Sequence, residues 1–286
     1  VTTPPAPGPD WLDELTAFVT GARSLVVLTG AGCSTASGIP AYRDERGAWQ
    51  HPRPVLLPEF LQRREVRQRY WARSSVGWRR FAAATPNAAH RHLASLGAAG
   101  WLTALVTQNV DRLHQHAGST AVVDLHGRLD QVACLGCGAT VGRAALQVEL
   151  EALNPDWQPV TVAAGPDGDA SIEADYSGFR VPDCRHCGGL LKPAVVFFGE
   201  SIPAATATAA RDAFARADAV LVVGSSLMVY SGYRLVRDAA ARSIPVASIT
   251  RGRTRADEII GLRIDADCGA ALGQLATRLD LRQPAG

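Results

Sequence analysis

The stretch LVVLTGAGCSTASGIPAYRD, residues 25–44, decides how the chain is read. An apolar run, Leu25 to Leu28, meets two glycines one residue apart, Gly30 and Gly32. That is how a strand enters the pyrophosphate turn of a dinucleotide-binding fold. The ordinary fingerprint asks for a third glycine at position 35; this chain has Thr35, and its next glycine is Gly38. A hydride-transferring oxidoreductase would need the intact motif and an acidic ribose ligand, and the loop offers neither.

Outward from this stretch, further continuous apolar runs occupy 103–107, 121–125, 194–198, 219–223 and 245–249. Such runs suit strands covered on both faces. Helical stretches at 11–22, 87–99, 203–217, 232–242 and 269–281 alternate with several of them, with Asp10 placed to cap the first. The alternation predicts an α/β fold, a Rossmann-like doubly wound parallel sheet. Two segments break the rhythm. Residues 45–85 are rich in arginine and tryptophan and helical in pattern; residues 128–191 carry paired cysteines and a polar, glycine-rich middle. They are read as insertions that together form a smaller zinc-binding domain. Residues 11–44, 86–127 and 192–286 remain for the Rossmann-like domain, and the proline-rich residues 1–10 for a flexible tail.

The 286 residues are 47% hydrophobic and 20% charged, with a net charge of only +2. That balance points to no nucleic-acid or membrane partner, and no apolar run is long enough to span a bilayer. The first residues lack the apolar core of a signal peptide and the arginine pattern of a transit peptide. The expectation is a cytoplasmic monomer, or a protein of the mitochondrial matrix if an import sequence preceded Val1.

Four of the six cysteines form two C-x-x-C pairs, Cys134/Cys137 and Cys184/Cys187. Each pair can turn two thiolates toward one ion, and two pairs complete a tetrahedral zinc site. A closed site has no open coordination position, so the zinc is expected to be structural. Disulfide and redox readings are weaker in a chain of this length without a secretion signal. His186 lies between two ligands, but the four cysteines already fill the shell.

Polar residues gather after the apolar runs. TQNVDRLHQHAG, residues 107–118, brings Gln108, Asn109, Asp111, Arg112 and His114 together. Ligands of open α/β sheets sit at the carboxyl ends of strands, where these amides can hydrogen-bond a carboxamide or ribose. The plainer reading is a helix start capped by Asn109 or Asp111. VVDLHGR, 122–128, ends a run on His126-Gly127. A lone histidine is more often a packing residue, but this position suits a general base. KPAVVFFGE, 192–200, ends on Gly199-Glu200, and GSSLMVYSG, 224–232, opens on Gly224, Ser225 and Ser226. Small residues there permit close approach of phosphate or ribose; each segment also reads as an ordinary strand-to-helix turn.

In this order, and with GAGCSTASGIPAYR (30–43), these motifs resemble one family. The chain is similar to the sirtuins, NAD-dependent protein-lysine deacylases, from about residue 11 to residue 282. GSSLMVYSGYR and KPAVVFFGE are most similar to class II. The resemblance implies that NAD is a co-substrate to be cut and that an acyl-lysine protein or peptide is the second substrate. It implies that Gly30, Ala31 and Gly32 bring backbone amides to the pyrophosphate. Ser34 to Arg43, with Ile39 and Pro40, would form a mobile lid. Tyr42 stands at an aromatic position near the nicotinamide, and Arg43 at an arginine that approaches phosphate. Gln108, Asn109 and Asp111 would line the nicotinamide and ribose pocket, and His126 would be the base. Gly224, Ser225, Ser226, Thr250, Arg251 and Cys268 fall on the adenosine side. Val195, Phe197, Gly199 and Glu200, with Met228 and Val229, would flank the acyl-lysine, whose peptide is expected to add as a strand.

Departures from the family pattern carry their own expectations. Thr250 stands where asparagine is common and loses an amide donor. Arg253 stands where proline is common and is expected to loosen its loop. Ala194 replaces a more usual acidic or polar residue. The tyrosine-and-arginine pair that reads acidic acyl groups is not apparent in the segment after Arg43, so neutral acyl chains are expected. Protein mono-ADP-ribosylation would use the same site, and a zinc-ribbon module without catalysis would tolerate loss of His126.

Overall fold

The computed structural model describes residues 10–51, 54–157 and 160–281; apart from Asp10, the expected tail lies outside them. In chain order the first half contains α1 (Trp11–Gly21), β1 (Leu25–Thr29), α2 (Leu57–Gln62), α3 (Arg64–Ala82), α4 (Ala88–Ala98), β2 (Ala104–Thr107), α5 (Leu113–His116), β3 (Val122–Asp124) and β4 (Gly127–Cys134). There follow β5 (Thr140–Gly142), α6 (Arg143–Leu153), β6 (Val160–Ala164), β7 (Ala170–Glu173) and β8 (Leu191–Val195). The chain closes with α7 (Ala204–Arg216), β9 (Ala219–Val223), α8 (Tyr230–Ala240), β10 (Val246–Ile249), β11 (Leu262–Ile264) and α9 (Cys268–Arg278).

Six strands form one parallel sheet in the order β11-β10-β9-β1-β2-β3. Side chains of a strand alternate between faces, and the core shows it. Leu25 and Val27 of β1 and Leu221 of β9 pack with α1, α4 and α9. Val26 and Leu28, with Val220 and Val222, pack on the other face with α7 and α8. Because both faces are covered, β1, β9 and β10 are buried at every residue. The continuous apolar runs have their physical cause there.

Three local expectations are corrected. The run 194–198 is not a strand of the large sheet: the strand is Leu191–Val195, antiparallel to β4 in a separate sheet of order β5-β4-β8. The edge strand β11 was not foreseen. Asp10 stands before α1, but its side chain makes no capping bond.

The two insertions share one hydrophobic cluster. Phe60 and Trp71 come from the first, and Val132, Leu146, Phe179 and Cys184 from the second. Among the described residues no helix is long and apolar enough to cross a membrane.

Candidate active site

Parallel strands end at one edge, so the segments following β1, β2, β9 and β10 converge. They border a cleft of about 1150 Å³ that continues onto the small lobe. Gly30 and Gly32 press against the segment following β9. A Cβ on Gly32 would lie 2.9 Å from the Gly224 carbonyl oxygen, too close for any side chain. Their amides, expected to face a pyrophosphate, donate to the Val223 and Gly224 carbonyls at 3.2 and 2.8 Å. These glycines therefore serve first to let two loops touch.

The polar residues expected to share a pocket are joined to one another. Ser34 is buried, and its hydroxyl donates to Asp111 Oδ2 at 2.6 Å. Asn109 Nδ2 donates to the Gly30 carbonyl and to Ser34 Oγ, both at 3.0 Å. Gln108 Nε2 donates to Ser225 Oγ at 2.8 Å. Asp111 also accepts from the Leu113 amide at 2.9 Å, but the cap position of α5 is Arg112 and no side chain caps that helix, so the expected capping by Asn109 or Asp111 is not what the structure has. Burial raises the Asp111 carboxyl above its usual range, against the pull of the Ser34 hydrogen bond.

His126 lies two residues after the end of β3. Its Nδ1 donates to the Gln108 carbonyl at 3.0 Å, and its Nε2 lies 2.7 Å from Ser231 Oγ. Burial lowers its pKa below 6.5, with the Gln108 bond opposing. The ring is therefore neutral at neutral pH and able to accept a proton.

The segment expected to be a lid is anchored at its start by Ser34 and by Ile39, which packs with Trp78, Phe81 and Leu113. Pro40 and Tyr42 line the cleft. The Tyr42 phenol faces the carboxylate of Asp167, which comes from the turn between β6 and β7. Burial pushes the Asp167 carboxyl up to about 6; Tyr42 opposes this and the charge of Asp169 adds to it. Arg43, expected at a phosphate, donates to the Gly47 carbonyl at 2.7 Å and lies 3.9 Å over the Trp49 ring.

At the far end, Ser226, Thr250, Arg251 and Cys268 line the cleft. Cys268 is buried at the start of α9, and desolvation pushes its thiol up to about 12. The Arg253 amide, which proline would lack, donates to the Glu45 carbonyl at 2.9 Å and so ties its loop to the segment that continues the lid.

On the wall expected to meet the acyl-lysine, Val195, Gly199, Met228 and Val229 line the cleft. Phe197 also borders it, but its ring is sunk in the small-lobe core, 5.2 Å from those of Phe60 and Tyr70. Val196 and Phe198 line the cleft too and had not been singled out. Ala194 is not among the lining residues. Glu200 acts as a brace, accepting from Lys192 Nζ at 2.9 Å and the Phe197 amide at 2.7 Å.

Tyr70, Asp167 and Ser231 are among the further cleft residues that escaped the sequence reading. Tyr70 lies on α3, with Arg73 one turn further, so a tyrosine and an arginine do stand near the cleft. The Arg73 guanidinium is held by Asp169, Nη2 to Oδ2 at 2.7 Å.

The four expected zinc ligands meet. Their sulfurs lie within 4.8 Å of one another, with Cys134–Cys187 at 3.5 Å and Cys137–Cys184 at 3.8 Å. A tetrahedron with zinc–sulfur bonds of 2.3 Å has edges of about 3.8 Å, so the cluster fits a closed zinc site.

A polar cluster at the strand ends of a parallel sheet, facing a lobe that carries a four-thiolate cluster, defines a Rossmann-type nucleotide-binding protein with a metal-stabilised insertion. Known proteins narrow the class. The Sir2 family matches over residues 30–231, and the chain belongs to that family. A protein of Bradyrhizobium diazoefficiens named NAD-dependent protein deacetylase 2 is 54% identical over 259 residues, 90% of this chain and 95% of that one. A solved structure described as Sir2 with a p53 peptide and NAD+ superposes with a TM-score of 0.78 at 29% identity, covering 94% of this chain and 98% of that one. Another, a Sir2 variant with deacetylated p53 peptide and 3′-O-acetyl-ADP-ribose, gives 0.79 at 29% identity, over 95% and 99%.

Proposed function

We propose that the protein is an NAD-dependent protein-lysine deacylase that consumes NAD and releases nicotinamide and O-acyl-ADP-ribose. The observation that carries this reading is the neutral, cleft-lining His126 beside the Gln108, Asn109 and Asp111 cluster, in a chain of the Sir2 family. In the proposed reaction the acyl oxygen of the substrate attacks the ribose carbon that bears nicotinamide, and nicotinamide leaves. The charge that develops at the ribose is stabilised by the half-buried Asp111 carboxylate and the oriented Asn109 amide. A ribose hydroxyl, deprotonated through His126, then attacks the imidate carbon. Lysine is released with its C–N bond broken, and one water adds to the cyclic acyloxonium that remains and opens it, so the acyl group ends on a ribose hydroxyl of ADP-ribose. The zinc ion holds the small lobe together, and Ser225, Ser226, Thr250 and Cys268 form the adenosine half of the cleft. The two insertions act as one lobe, a reading supported by the hydrophobic cluster they share.

The test is mass spectrometry of the products formed from NAD and a panel of acyl-lysine peptides. The expected product is O-acyl-ADP-ribose; ADP-ribose attached to protein without it would replace this reading by mono-ADP-ribosyl transfer. Neutral acyl chains are expected to exceed succinyl in kcat/KM. Val195 and Val196 offer an apolar wall, Arg73 is neutralised by Asp169, and Asp167 repels an incoming carboxylate. A succinyl preference would overturn the assignment of this wall to the acyl group.

A further inference from the structure

The lone pair of the proposed base is already occupied. His126 Nδ1 lies 3.0 Å from the Gln108 carbonyl oxygen. A carbonyl only accepts, so Nδ1 carries the proton and, in the neutral ring, Nε2 holds the lone pair. Nε2 lies 2.7 Å from Ser231 Oγ, so the serine hydroxyl donates to it. Direct transfer of a substrate proton to Nε2 would first require this hydroxyl to swing away.

Ser231 is not there to finish a helix. It lies in the first turn of α8, whose cap position is Val229, and no side chain caps that end. Among the described residues its hydroxyl bonds to His126 alone. The residue is half-buried and lines the cleft. A serine oxygen that donates one hydrogen bond still has two lone pairs with which to accept. It therefore stands between the base and whatever hydroxyl enters the cleft.

We infer that Ser231 is a proton relay between a ribose hydroxyl of the NAD-derived intermediate and His126. The inference rests on the deacylase reading and deepens it. In the relay the ribose O–H bond breaks and its proton bonds to Ser231 Oγ. The original Ser231 O–H bond breaks and that proton bonds to His126 Nε2. The electron pair left on the ribose oxygen forms the new bond to the imidate carbon, and the C=N π pair moves onto the lysine nitrogen. Serine ends as it began, and imidazole becomes imidazolium.

The test compares the wild-type protein, Ser231→Ala and Ser231→Thr in two rates each. Acyl-peptide-dependent exchange of labelled nicotinamide into NAD reports the step before the base acts; lysine release reports the whole sequence. Ser231→Ala is expected to lower lysine release by about 10²-fold while leaving exchange within about threefold. Ser231→Thr keeps a hydroxyl and should hold lysine release within about tenfold of wild type. In mixtures of H2O and D2O, single-turnover lysine release by the wild type should curve, as for two protons moving together, and that of Ser231→Ala should be linear. Ser231→Ala releasing lysine at or above the wild-type rate would overturn the relay, since His126 would then take the proton directly. Equal loss of both rates would overturn it in favour of a structural serine. A wild-type protein showing neither exchange nor lysine release would instead overturn the deacylase reading itself.

Discussion

The two sides of the cleft are built on different physics. On the sheet side, strands buried on both faces end in side chains that satisfy one another: Ser34 with Asp111, Asn109 with Ser34, Gln108 with Ser225. Such a site is supported by the whole core of the large sheet, and one substitution changes one function. On the small-lobe side the strands β5, β4 and β8 have three, eight and five residues. They pack beside a cluster of four thiolates and through close backbone contacts. A single change there is expected to act on everything the lobe contributes.

The largest expected effect breaks the lobe. Structural zinc sites contribute roughly 10–16 kcal/mol of apparent binding free energy, most of it expressed as folding. Cys137→Ser should therefore lose the metal, reduce soluble yield and expose residues 128–191 to protease while the large sheet stays protected. Metal analysis should find about one zinc per wild-type chain. Full activity in a metal-free preparation would show that the lobe stands without it.

The next effect belongs to the sheet side and leaves the fold intact. His126→Ala should lower deacylation by about 10²–10⁴-fold, while nicotinamide exchange survives much better, because Gln108, Asn109 and Asp111 remain in place. The wild-type pH profile carries a sign. Burial depresses the histidine pKa, so the base is neutral above its lowered pKa and is lost as pH falls through it. The acid limb of kcat/KM should lie below 6.5, the ordinary histidine value. An acid limb above that value would mean that another group limits the reaction.

The same contrast explains what could be read from the chain. The large sheet was legible because burial on both faces makes a strand a continuous apolar run, as at 25–29 and 219–223. Its edge strand Leu262–Ile264 was not, since Arg263 interrupts it. The run at 194–198 misled for the opposite reason. The true strand begins at Leu191 and includes Lys192, whose charge is hidden by Glu200, while Phe197 turns away into the lobe. Site residues on the sheet side follow strands and sit in recognisable motifs. Tyr70 and Asp167 reach the cleft only through tertiary packing, and no local pattern marks them.

A smaller effect sharpens the small-lobe side. A Cβ added to Gly77 of α3 would lie 2.4 Å from the Gly168 carbonyl oxygen, so helix and turn meet backbone to backbone. Gly77→Ala should push the turn away and cost about 1–3 kcal/mol, as overpacking does. A lowered Tm should come with a changed acyl profile, because the displaced turn carries Asp167. A lowered Tm with an unchanged profile would remove Asp167 from the acyl wall.

The smallest expected effect tests whether the sheet side is as modular as its packing implies. Thr250 is buried, and its amide donates to the Ile264 carbonyl at 3.1 Å, so its backbone is fixed by the sheet. Thr250→Asn restores an amide donor without moving that backbone. One regained hydrogen bond is worth roughly 0.5–1.5 kcal/mol, so KM for NAD should fall several-fold with little change in kcat. Arg253→Pro provides the contrast. It also restores the common family residue, but it deletes the amide that donates to Glu45 and so unties the loop from the segment that continues the lid. It should raise KM for NAD. Opposite responses to two substitutions toward the same family pattern would show that this loop is held by its contact with that segment, whereas a fall in KM for both would show that proline stiffness outweighs the lost bond.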